Sequence, residues 1–176
     1  MLLIKLAGII LVVISSGFYG FYHIQKIKFH INDLQQMSDA LEILNSEIKF
    51  GTTPLTEATK NICRCSKFFV KELFFKINKL LGDKKNCASE IWQQSINNIY
   101  ANSNKNFLDR DDILLINLFA SVITSPDPEL QIKCLNKIET GLQKKILILE
   151  KQYQNEKTLY YNLGFLFGLL VITIFI

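Results

Sequence analysis

The chain has 176 residues, enough for one modest domain, and 49% of them are hydrophobic. Its formal net charge of +4 arises from 20 Lys and Arg against 16 Asp and Glu, an excess too small and too mixed with acids to suggest nucleic-acid binding. The four cysteines show no C-x-x-C or C…H spacing, which argues against a metal-ligand set. Cys63 and Cys65, two apart on a helix, point about 200° away from each other. Together with the distant Cys87 and Cys134 they read as reduced thiols serving as small apolar residues.

The first element is LLIKLAGIILVVISSGFYGFY, which carries one charge, Lys5. A membrane-spanning helix needs roughly 20 mostly apolar residues, so residues 1–22 are expected to span. A cleaved signal peptide is the alternative, given the basic start and the small residues Ser15, Ser16 and Gly17. The following FYGFYHI keeps the segment apolar and supplies interfacial aromatics, which favours a retained anchor. The run LYYNLGFLFGLLVITIFI, residues 159–176, is uncharged and meets the same length narrowly. Apart from Lys5, every Lys and Arg lies within residues 23–158, including Lys26, Lys28, Lys144, Lys145, Lys151 and Lys157 near the two runs. Basic flanks stay on the cytoplasmic side, so the middle segment is expected in the cytoplasm and both termini outside.

From Ile27 the apolar positions are Ile27, Ile31, Leu34, Met37, Leu41, Leu44 and Ile48, and from Leu34 on they show the alternating three- and four-residue steps of a coiled coil or helix-bundle seam. They extend the first membrane run into one nearly continuous helix ending at Phe50, with Gly51 as the residue just past it. Thr53 fits the N-cap of a second helix, Pro54 its first position, and Glu57 its first turn, where the helix dipole favours an acid. Leu55, Ala58 and Ile62 give that helix its apolar side.

KFFVKELFFKINKLLG is a third helix with a wide apolar face. Its Phe-rich stretch, residues 68–75, reads as bundle core or as core extended to a partner-binding patch. A fourth helix carries Ala88, Ile91, Trp92, Ser95, Ile96 and Ile99. In LDRDDILL, Asp109 can cap a fifth helix with Asp112 at its third position, and Leu115, Leu118, Phe119 and Val122 are its expected buried side. SPDPE at 125–129 stops the chain and restarts it. Leu135, Ile138, Leu142, Ile146, Leu149 and Tyr153 then mark a long helix leading into the terminal apolar run. No segment alternates as a half-buried strand does. The expected fold class is all-α: a membrane-anchored helical bundle whose two long helices, both continuing into the membrane, pair as an antiparallel stalk capped by the shorter elements.

Catalytic patterns are missing. His23 and His30 lie seven apart, too far to hold one metal or share a proton, and fit structural roles. No zincin, nucleophile-elbow, Walker or dinucleotide pattern occurs. GTTPLT has one Gly and no following Lys, so it is a poor phosphate cradle. Asp109, Asp111 and Asp112 read as a solvated helix start. Neither an enzyme, a cofactor nor a small-molecule substrate is expected. Gly164 and Gly168 form a G-x-x-x-G pattern that lets membrane helices approach closely, although Gly is also common in such helices generally.

In order along the chain stand the apolar start, EIKFGTTPLTEA, Trp92, DPELQ and LGFLFGLLVITIFI. Together they resemble the stage III sporulation protein AB family over nearly the whole length. The matching positions are Glu47, Gly51, Thr53, Pro54, Leu55, Glu57, Ala58, Trp92, Asp127, Glu129 and Gln131. The resemblance implies a fold similar to type II secretion protein F platform domains, in a membrane protein of endospore-forming bacteria. It implies a place in the mother-cell membrane around the forespore, within a secretion-like channel complex. A secretion-type ATPase, stage III sporulation protein AA, would be a partner, alongside other stage III channel proteins, and self-association is compatible with this. Thr52, Thr56, Lys60 and Arg64 are the candidate partner contacts. One departure concerns Ala120 and Thr124, where the family usually has Gly; Pro126 and Pro128 are then expected to end the fifth helix. The competing reading is a two-span membrane sensor, a layout that needs an output domain and an outward-facing middle segment.

Overall fold

The computed structural model describes the backbone of residues 2–50, 54–82, 87–101 and 107–175, and the side chains of these residues except 2–20, 68, 161, 164–165 and 167–175. All regular structure among them is helical. Helix α1 spans Leu2–Phe50, α2 Leu55–Cys65, α3 Phe68–Gly82, α4 Ala88–Ala101 and α5 Arg110–Asn117; a 3-10 turn covers Leu118–Ser121, and α6 spans Pro128–Phe175. Two compact units result: residues 1–28 with 148–176, and residues 29–147.

The larger unit is built on the seam expected from the three-four spacing. Ile31, Leu34, Met37, Leu41 and Leu44 of α1 are buried, as are Leu135, Ile138, Leu142 and Ile146 of α6. Gln143 donates to Ser38 Oγ at 3.1 Å and Asn45 to Asn136 Oδ1 at 2.6 Å. Seven residues forward on α1 match seven backward on α6, so in this unit the two helices run antiparallel in a fixed register. The shorter helices all belong to this unit, away from the apolar ends of the long helices. They lie along the long pair, with α5 tied to α1 at His30 and α2 tied to α1 at Glu47. Those attachments are 17 residues apart, about 25 Å of helix.

Helices α2 and α3 form an antiparallel hairpin. Cys63 near the end of α2 points at the Lys71 carbonyl, and Asn78 near the end of α3 donates to the Thr56 carbonyl and to Thr59 Oγ1. Phe69, Val70, Leu73, Phe74 and Ile77 are buried on one side of α3. Trp92 of α4 is fully buried between Phe74 and Phe119, edge-on to both at centroid distances of 5.9 and 5.1 Å. Its indole Nε1 donates to the Ile116 carbonyl at 3.3 Å, which satisfies the one polar atom of the ring.

Several expectations need correcting. Pro54 is the N-cap of α2, not its first helical residue, since its ψ of 146° is extended. Its carbonyl accepts from the Glu57 and Ala58 amides at 2.8 and 3.0 Å. Gly51, Thr52 and Thr53 lie outside the described residues. Helix α5 buries Asp112, Ile113 and Ile116, whereas Leu118 is exposed and Leu115 and Val122 are half-buried. The buried positions Ile113, Ile116, Phe119, Ala120 and Ile123 recur every three or four residues through the 3-10 turn, so the core-facing stripe is displaced from the expected one and shares only Phe119 with it. That turn ends at Ser121 with the Val122 and Ile123 amides on the Phe119 carbonyl, ahead of Pro126, so the prolines do not end α5. Pro128 instead opens α6, at a position where its missing N–H costs nothing.

The membrane segments expected at 1–22 and 159–176 are not supported as such: among the described residues no helix is long and apolar enough to cross a membrane. Gly164 and Gly168 fall within α6, but their surroundings lie outside the described residues.

Candidate functional site

Two polar centres organise the larger unit. The first begins with the cap of α5. The Asp109 side chain accepts from the Asp111 and Asp112 amides at 2.9 and 3.0 Å, and Asp112 Oδ2 accepts from the Asp109 amide at 2.8 Å. This is the reciprocal capping box that the sequence suggested. Asp112 is not solvated, however; it is completely buried. His30 of α1 donates through Nε2 to Asp112 Oδ2 at 2.7 Å, which requires the proton on Nε2 because a carboxylate only accepts. From α6, the Lys145 ammonium lies 2.6 Å from Asp112 Oδ1 and 2.7 Å from Asp109 Oδ2. One carboxylate thus ties α1, α5 and α6 together.

Burial pushes the Asp112 carboxyl up, but hydrogen bonds from His30, Lys145 and the Asp109 amide, with the attraction of His30, outweigh it and hold it below the usual carboxylate range. Burial likewise pulls the Lys145 ammonium down, and the two aspartates more than reverse it. One turn along α1 from His30, Asp33 behaves oppositely. It is buried, and its desolvation outweighs the Phe107 amide at 2.8 Å and the attraction of His30, so its carboxyl is pushed up. Phe107 also stacks on Phe29 at 5.2 Å, closing this side of the centre.

His30, Asp109 and Asp112 place ligand-type atoms within 4.8 Å of one another. Lys145 already bridges both carboxylates, so a divalent ion would meet a resident cation and the trio is better described as an ion-pair network. The sequence reading missed it, because its members come from residues 30, 109–112 and 145. The available signal was a histidine and a lysine set beside apolar seams, at His30 next to Ile31 and Lys145 next to Ile146.

The second centre gathers several of the matching motif positions. Glu47 of α1 accepts from Asn61 of α2 at 3.0 Å. Asp127 accepts from the Glu129 amide at 2.9 Å at the start of α6, and Gln131 Nε2 donates to the carbonyls of Ser125 and Ile123 at 2.8 and 3.3 Å. Glu47, Ile48, Leu55, Ala58, Ile123, Pro128 and Gln131 line one open depression of about 200 Å³. The end of α1 and the start of α2 therefore meet the start of α6 and the turn before it. Trp92 is separate, in the core. Of the expected partner contacts, Thr56, Lys60 and Arg64 are exposed on α2, while Thr52 lies outside the described residues.

These centres hold helices and turns, and neither presents a nucleophile beside a base. Their arrangement defines a helical scaffold, with tied corners and exposed helix faces. A family profile for stage III sporulation protein AB matches residues 5–176. Stage III sporulation protein AB of Bacillus subtilis (strain 168) is 27% identical over 171 residues, covering 97% of this chain and 98% of that protein. A solved structure of stage III sporulation protein AB is similar in fold, with a TM-score of 0.66 at 22% identity, over 72% of this chain and 97% of that one. The chain belongs to the stage III sporulation protein AB family, which is named for sporulation and not for an enzymatic activity.

Proposed function

We propose that the chain is a non-enzymatic membrane platform in a secretion-like complex between mother cell and forespore, holding a secretion-type ATPase, stage III sporulation protein AA, at the mother-cell membrane. Family membership supports the sporulation role. The observation that carries the platform reading is the outward face of the smaller unit. There Phe21, Tyr22, Leu159, Leu163 and Leu166 are exposed, all but Leu163 by more than half, while the polar groups of His23 and Glu156 pair with each other at 2.9 Å. Apolar surface turned outward on helices that run on into apolar sequence with a single charge, Lys5, suits a lipid environment and its interfacial aromatic belt. The tied helices of the larger unit would then be a rigid cytoplasmic body offered to partners.

The test is thiol labelling of intact and permeabilised cells carrying the chain with Cys87, an exposed thiol, as its only cysteine. Labelling only after permeabilisation is expected. Labelling from outside in intact cells would overturn both the orientation and the ATPase partnership.

A further inference from the structure

The α2–α3 hairpin carries the whole charge imbalance of the chain. Between residues 55 and 82 stand Lys60, Arg64, Lys67, Lys71, Lys76 and Lys79, against Glu57 and Glu72. That excess of four equals the formal net charge of +4 for all 176 residues, so the rest of the sequence is balanced. All six cations are exposed. Asymmetry of this kind is not needed for folding, and it gives one element a positive potential that the remainder lacks.

Phe75 sits in the middle of this charge. It is 64% exposed although its neighbour Phe74 is fully buried. Residues four apart on a helix are surface neighbours, so Phe75 is flanked by Lys71 one turn before and Lys79 one turn after. Leaving a large aromatic in water among lysines has no packing benefit. The same arrangement suits an interface, where an aromatic anchor enters a pocket and surrounding charges steer and align the partner.

We propose that the outer face of α3, with Phe75 as anchor and Lys71 and Lys79 beside it, docks an acidic protein surface containing an apolar pocket. On the platform reading above, on which this inference rests, that surface belongs to the ATPase. A protein suits the face better than lipid or nucleic acid does. Glu57 and Glu72 interrupt the cations, which would oppose a continuous row of phosphates, and a single aromatic is a small foothold for membrane insertion.

The test measures binding of the purified ATPase to the full chain in nanodiscs. Phe75→Ala is expected to raise Kd about tenfold or more, and Lys71→Glu with Lys79→Glu to do likewise, chiefly through a slower on-rate. Wild-type affinity should also fall as NaCl rises. Both variants alter exposed residues, so their circular dichroism should match wild type. Leu114→Ala is the control, since Leu114 is comparably exposed at 58% on α5; it should bind normally. Wild-type binding that both variants retain, or that Leu114→Ala weakens equally, would overturn the inference and leave the platform reading standing. Failure of the wild-type chain to bind the ATPase would overturn both. If the lysine effect disappears when phosphatidylglycerol in the nanodisc is replaced by phosphatidylcholine, the face reads lipid and the protein-docking proposal falls.

Discussion

Replacing Asp112 with Ala removes the one carboxylate shared by α1, α5 and α6. Asp112 is fully buried, while the side chains of His30 and Lys145 are 13% and 24% exposed. Removing one partner of a buried ion pair costs about 3–5 kcal/mol because the opposite charge is left uncompensated. Lys145 keeps Asp109 and has some access to water, which places this site near the lower end. Loss of the acceptor for the Asp109 amide adds about 1 kcal/mol. The expected total is about 3–4 kcal/mol, a drop of roughly 1–4 M in urea midpoint at slopes of about 1–3 kcal/mol per M. Asp112→Asn keeps an acceptor for that amide and should lose about half as much. Urea titration followed by far-UV circular dichroism measures both. A double-mutant cycle with His30→Ala should give a coupling of about 1 kcal/mol or more. An Asp112→Ala midpoint indistinguishable from wild type, or additive single effects, would refute the network as a structural tie.

The two buried aspartates should respond to pH with opposite sign. Asp112 is held below its ordinary value of 3.8, so its contribution is complete above about pH 4 and is lost as pH falls through its folded value; acid titrations of Asp112→Asn should lack that part of the loss. Asp33 is raised above 3.8, so its ionised form works against the fold at neutral pH, and Asp33→Asn should raise the urea midpoint at pH 7. Lys145 is raised above 10.5, so its contribution should fade only as pH climbs past that value. Trp92→Ala should cost about 3–5 kcal/mol in the same denaturation assay, through the cavity left between Phe74 and Phe119. Gln131→Ala removes two hydrogen bonds to turn carbonyls, and a loss of about 1–2 kcal/mol is expected, with faster amide exchange around Ile123–Ser125 as a local readout.

The long helices were legible because their signal is long. The three-four spacing from Leu34 to Leu44 has a single physical reading, and the same residues line the core. The α5 cap was legible because a capping box is local, needing Asp109 and Asp112 three residues apart. The network around Asp112 was not, since nothing in the sequence near residue 112 reports that residues 30 and 145 are brought to it. The reading of the α5 face failed for a different reason. Ile113 to Ile116 are apolar at every position, so spacing alone admits two stripes, and the core takes the one through Ile113, Ile116, Phe119 and Ile123 rather than the one through Leu115, Leu118 and Val122. The depression lined by Glu47, Leu55, Ala58, Pro128 and Gln131 joins two motif segments about 80 residues apart. Sequence shows both segments, but only the antiparallel register of α1 and α6 explains why they meet.

That register also explains why a scaffold would keep an expensive buried charge cluster. An apolar seam alone fixes helix register weakly, because leucine and isoleucine tolerate a shift of one turn with similar burial. Polar pairs do not. Asn45–Asn136, Ser38–Gln143 and the His30–Asp112–Lys145 network each lose their partners if α1 slides against α6 by one turn of about 5.4 Å. The cost of such a slip falls on all three at once, and the buried Asp112 makes it steepest. Because α5 enters the same network, and α3 reaches α5 through Trp92 and α4, the register fixed along α1 and α6 also fixes where the face carrying Phe75 points. For a protein whose proposed task is to present that face to a partner, a few kcal/mol held in buried ion pairs serves orientation more than stability.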